Sequence, residues 1–97
     1  MSRMRHLMHS DAVTKEIVAA LRAAGVVVEY FIAPMGKKGA PDLVCGWRGD
    51  TWLVEVKKPG ADLDDEQRTW WKNWRGGRLA LVHSPAEALA ALGIGEP

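Results

Sequence analysis

The stretch Asp42-Leu-Val-Cys-Gly-Trp-Arg-Gly-Asp-Thr-Trp-Leu-Val-Glu-Val-Lys57 decides the fold. Two apolar, β-rich runs, 42–47 and 51–57, flank Arg48-Gly-Asp50, which predicts a tight β-hairpin. With Gly49-Asp50 as the two-residue loop, Arg48 pairs with Thr51 and the pairing runs outward from there. Lys57 then stands opposite Asp42, and Glu55 opposite Val44. Side chains alternate faces along a strand, so Leu53, Glu55 and Lys57 share one face with Asp42. Asp42 and Glu55 become diagonal neighbours, about 7–8 Å apart at the backbone. Trp52, Val54 and Val56 occupy the other face and must pack into the core. Alone, Glu55-Val-Lys57 is equally an exposed strand face with an ion pair, for instance between Lys57 and Asp42. The apolar Trp52-Leu-Val lead-in argues for a central strand, where charged side chains are costly unless they have a task.

Outward from the hairpin, Gly and Pro punctuate the chain. Ser10 or Asp11 caps a helix that runs to about Ala24 and stops at Gly25, with Val13, Ile17, Val18, Leu21 and Ala24 at helical spacing. Val26 to Ile32 is β-branched and aromatic, which predicts a strand. Pro34 to Pro41 is a loop holding Lys37 and Lys38, and Pro59-Gly60 ends the hairpin. A second helix starts at Asp64 or Asp65 and ends at Gly76-Gly77. Leu79 to Val82 forms a buried strand, and Ser84-Pro85 opens a last helix, Ala86 to Leu92, closed by Gly93. The order α-β-β-β-α-β-α predicts an α/β fold, one mixed sheet with helices packed on its faces. Residues 1–9 are expected to be a flexible basic tail, 10–93 a single domain, and 94–97 a C-terminal tail.

A length of 97 residues suits one core, and 47% hydrophobic with 26% charged residues is an ordinary soluble composition. No apolar run approaches the roughly 20 residues of a membrane span. Met1 to Ser10 lacks the apolar region of a signal peptide. Cys45 stands alone, which fits a reducing cytoplasm. The formal net charge of +1 leaves nucleic-acid binding to local clusters such as Lys37-Lys38 and Lys57-Lys58. His6, His9 and His83 are read as non-ligands, and Cys45 as a small core residue.

Two carboxylates on one strand face can turn onto one divalent cation, with oxygen ligands at about 2.0–2.6 Å. Such hard donors suit Mg²⁺ or Mn²⁺ rather than zinc. Gln67 shares a helical face with Leu63, Trp70, Trp71 and Trp74, so it is a polar group in an apolar stripe and needs a hydrogen-bond partner. The tryptophans are expected in the core or in a dimer contact rather than as base-stacking platforms. Glu16 lies at the edge of its helix's apolar stripe, where it can face inward or stay solvated.

Gly39-Ala-Pro-Asp42 followed by Glu55-Val-Lys57, then Lys58-Pro-Gly60 and a helix opening on Gln67, resembles the PD-(D/E)XK nuclease core. More narrowly it is similar to the VRR-NUC branch, whose small members occur in phages and bacteria. The resemblance covers roughly Glu16 to Ala91. It implies a restriction-endonuclease-like fold and a Mg²⁺- or Mn²⁺-dependent DNA endonuclease. It implies that Asp42, Glu55 and the backbone carbonyl of Val56 bind the ion and that Lys57 serves the chemistry. It also brings Glu16 to the site and sets Gln67 beside the metal. Such an ion lowers the pKa of an attacking water and neutralises charge at the phosphate, while Lys57 can orient that water. Lys15, Lys37, Lys38, Lys58 and Arg68 are the candidate phosphate contacts. By analogy with junction resolvases, the expected state is a homodimer cutting four-way DNA junctions. A less selective nickase or flap-type nuclease, and an inactive DNA-binding module of the same fold, are the alternatives.

Overall fold

In the computed structural model, residues 11–31 and 39–95 are described. Seven elements follow the expected order: α1 (Asp11–Ala23), β1 (Val27–Tyr30), β2 (Leu43–Trp47), β3 (Asp50–Val56), α2 (Asp65–Asn73), β4 (Arg78–Val82) and α3 (Pro85–Ala91). The four strands form one sheet in the order β1-β2-β3-β4. β1, β2 and β3 are antiparallel neighbours, and β4 joins β3 in parallel, with α2 in the connection. The fold is therefore the mixed α/β sheet flanked by helices that the sequence predicted.

One face of the sheet makes the core. Val28, Leu43, Cys45, Val54, Val56, Ala80 and Val82 meet Ile17, Val18 and Leu21 of α1, and Ala88 of α3 with Leu92 beyond it. Cys45 sits there fully buried, as expected of a small core residue. Gly25 ends the turn after α1 at φ +100°, a left-handed conformation that costs a glycine little. Ser84 caps α3, its hydroxyl accepting from the Glu87 N–H, with Pro85 in the first turn.

The hairpin register differs from expectation. Trp47 pairs with Asp50, and Leu43 with Val54, so the two loop residues are Arg48 and Gly49. Both have positive φ, 49° and 82°, the signature of a type I′ turn, which places its glycine second. The expected loop put the glycine first. Because both loops have two residues, the correction moves each partner by two positions and keeps every side chain on its face. The ladder ends at Leu43 and Val54, the Asp42 N–H also turns to the Val54 carbonyl, and the Asp42 carboxylate lies beside Glu55.

Helix α2 differs as well. It ends at Asn73, and none of its residues is buried. Trp70 and Trp74 stack on each other, ring centroids 5.0 Å apart and 15° from parallel, instead of entering the core. Among the described residues, no helix is long and apolar enough to cross a membrane.

Candidate active site

The site is built at the end of the central strand pair. Backbone hydrogen bonding fixes it there: the Asp42 N–H donates to the Val54 carbonyl at 3.1 Å, and the Lys57 N–H to the Val82 carbonyl at 3.0 Å. Even-numbered residues of β3 thus address β2, and odd-numbered ones address β4. The Val56 N–H points past the end of β2 and donates to Asp42 Oδ2 at 2.8 Å. The N–H and C=O of one strand residue point to the same side. The Val56 carbonyl therefore faces the Asp42 side too.

Glu55 is 3% exposed, on the face opposite the core. Gln67 Nε2 donates to its Oε2 at 2.9 Å. Oε1 is buried and accepts no hydrogen bond from a described residue. Burial, and then the neighbouring Asp42 carboxylate, raise the Glu55 pKa to about 8, against the opposing pull of Lys57. Burial and Asp42 outweigh Lys57 here, so a buried oxygen with no donor, set against a second carboxyl group, is short of positive charge. Two carboxylates and a strand-end carbonyl fit a hard divalent cation that keeps part of its water shell. No group of three or more His, Cys, Asp or Glu side chains with metal-binding potential occurs among the described residues.

Lys57 is half-buried beside Glu55. Among the described residues Arg68 pairs with Asp62, Arg78 with Asp50 and His83 with Glu87. Gln67 does have the partner that its place in an apolar stripe demanded. Glu16 is exposed on α1 and makes no hydrogen bond or ion pair with Asp42 or Glu55. Of the expected phosphate contacts, Lys15 and Lys58 are exposed. Arg68 donates to the Asp62 carboxylate at 3.0 Å and the Leu63 carbonyl at 3.1 Å. Lys37 and Lys38, with His6 and His9, lie outside the described residues.

Two features go beyond the sequence reading, although Asp64-Asp-Glu-Gln67 has the spacing of a capping box. Asp64 caps α2 in a reciprocal box with Gln67. His83 turns one ring nitrogen to the Ala61 carbonyl at 2.7 Å and the other to Glu87 Oε1 at 2.8 Å. These partners, Glu87 foremost, raise its pKa, and as an imidazolium it ties the loop after Lys57 to α3.

This cluster of two carboxylates, a lysine and a carbonyl stands at the strand ends of a mixed α/β sheet. The chain has the fold of a VRR_NUC domain. It is similar to a solved structure described as "VRR_NUC domain", with TM-score 0.70 and 28% sequence identity, over 84% of this chain and 94% of that one. No family model and none of the curated proteins matches the sequence.

Proposed function

We propose that this protein is a Mg²⁺- or Mn²⁺-dependent DNA endonuclease acting on branched DNA, a four-way junction above all, as a homodimer. The observation that carries the metal-dependent reading is the buried Glu55 Oε1, without a donor, beside Asp42 at a strand end. Asp42, Glu55 and the Val56 carbonyl would hold the ion, which supplies an activated water and charge neutralisation at the scissile phosphate. Asp42 is kept in place by the Val56 N–H, and Glu55 by Gln67. Lys57, half-buried beside Glu55, would orient the attacking water and offset the charge that develops on phosphate oxygen. Its strand is anchored on both sides, so its backbone position is fixed. The similarity to a VRR_NUC structure supports a phosphodiester substrate, and a two-fold dimer would match the symmetry of a junction.

Cleavage of four-way, flap, nicked and linear DNA, with and without Mg²⁺, tests this reading. Selective, metal-dependent cutting of the four-way substrate is expected. Cutting of all four alike would reduce the proposal to a general nuclease, and no cutting by wild type with either ion would remove the enzyme reading.

A further inference from the structure

In an ordinary capping box, the side chain three residues into the helix serves only the helix end. Here it continues into the site. Asp64 Oδ1 accepts from the Gln67 N–H at 2.8 Å, and Gln67 Oε1 accepts from the Asp64 N–H at 2.9 Å. The other end of the same amide, Nε2, donates to Glu55 Oε2 at 2.9 Å. Both ends of the amide are thus committed. Turned over, it would set NH₂ against the Asp64 N–H and oxygen against the Glu55 carboxylate, two clashes of like polarity. Asp64 itself holds the extended conformation of an N-cap, φ −83° and ψ 178°, which aims its N–H at Gln67.

We propose that Asp64 is a positioning residue for Glu55, acting through Gln67: the helix cap fixes the amide, and the amide holds Oε2 while leaving Oε1 to the cation. The inference rests on Asp42 and Glu55 being the cation site. Asp64 makes its hydrogen bonds to Gln67 and reaches Glu55 directly only through the weak repulsion of its charge, the last of the causes that raise the Glu55 pKa, so the asparagine variant separates the two routes. Asparagine at 64 keeps a cap of equal quality without the charge, whereas alanine removes the cap.

The experiment is a double-mutant cycle read by Mn²⁺ titration of the folded proteins in a calorimeter. D64A should bind Mn²⁺ roughly three- to tenfold more weakly, the range set by the loss of an N-cap. D64N should restore wild-type affinity. Q67M should weaken binding, and D64A added to Q67M should cost nothing further, because the path is already cut. Additive losses, unchanged affinity in D64A, or a D64N as weak as D64A would each overturn the proposal. A second readout needs no metal. The Gln67 side-chain NH₂ should give two separate NMR signals with slowed hydrogen exchange in wild type and D64N, and lose that protection in D64A. Equal protection in all three would also overturn it. A wild type that binds Mn²⁺ but cuts no DNA would sink the nuclease reading and leave this one standing. A wild type that binds no Mn²⁺ would sink the cation site, on which this inference depends.

Discussion

At 3% exposure and beside Asp42, the Glu55 carboxyl keeps its proton up to about pH 8 in the metal-free protein. Unfolded, it would lose that proton near 4.5, so between the two values the folded state binds more protons and stability falls as pH rises. Each tenfold in proton affinity is worth about 1.4 kcal/mol, so the loss amounts to a few kcal/mol. Glu55→Gln should therefore unfold at higher temperature than wild type at pH 8 in EDTA, with the gain vanishing near pH 4.5. Equal melting curves at pH 8 would mean that Glu55 is not buried as described. His83, whose pKa is raised, pushes the same way: its contribution is complete below about 6.5 and is lost above its folded value. The comparison with Glu55→Gln isolates the carboxyl. Asp42→Ala and Glu55→Ala should each abolish cleavage, by a factor of at least about a thousand, while DNA binding is kept or tightened by the loss of a negative charge. Cleavage near the wild-type rate by either variant would refute the site. Lys57→Ala should be inactive yet still bind Mn²⁺ in the calorimeter; loss of both would make Lys57 a support for the carboxylates instead.

Where the 39–41 segment meets α2, Gly39 leaves no room for a side chain. It has φ +92°, and a Cβ there would lie 2.6 Å from the Glu66 carbonyl oxygen and 2.9 Å from Trp70 Cβ. Gly39→Ala should push the 39–41 segment off α2, destabilise the protein by about 1–3 kcal/mol in urea denaturation, and weaken Mn²⁺ binding through the displaced Asp42. Unchanged stability would show that α2 gives way without cost. The Gly-Ala-Pro-Asp sequence makes this glycine visible, but not the helix that presses on it. Asp42 and Glu55 are legible because a side-chain period of two survives a two-residue error in register. The turn itself is not, because Arg48 adopts positive φ, a conformation that its side chain gives no reason to expect. Its guanidinium lies over the Trp47 ring, 5.1 Å from the centroid, an attraction that offsets part of that cost. Gln67 is legible as a polar interruption in an apolar stripe. The reach of Gln67 to Glu55 and the His83 tie are not, because both depend on the path of the loop from Lys57 to Asp64, which no local pattern encodes.

For the molecule as a whole, the exposed Val27, Tyr30 and Trp74, at 64%, 47% and 36%, offer apolar surface for the proposed dimer. Light scattering at micromolar concentration should give twice the 10.7 kDa chain mass. A monomer that resolves junctions symmetrically would refute the dimer. Replacing both Lys37 and Lys38 by alanine should flatten the salt dependence of DNA binding by about 0.9 for each phosphate no longer neutralised, and an unchanged slope would take that loop out of the DNA path. The mixed sheet also sets an order of assembly. Asp42 and Glu55 belong to one antiparallel hairpin, closed by a two-residue turn, whereas β4 reaches β3 only after the chain has crossed through α2. Loop closure taxes the second pairing far more than the first. During refolding the two carboxylates are brought face to face by local pairing, before Gln67 arrives to hold one of them. For that interval the growing hairpin carries a repulsion that only protons or divalent ions can relieve, so mild acid or added Mg²⁺ should speed the folding of the wild type and leave Glu55→Gln indifferent.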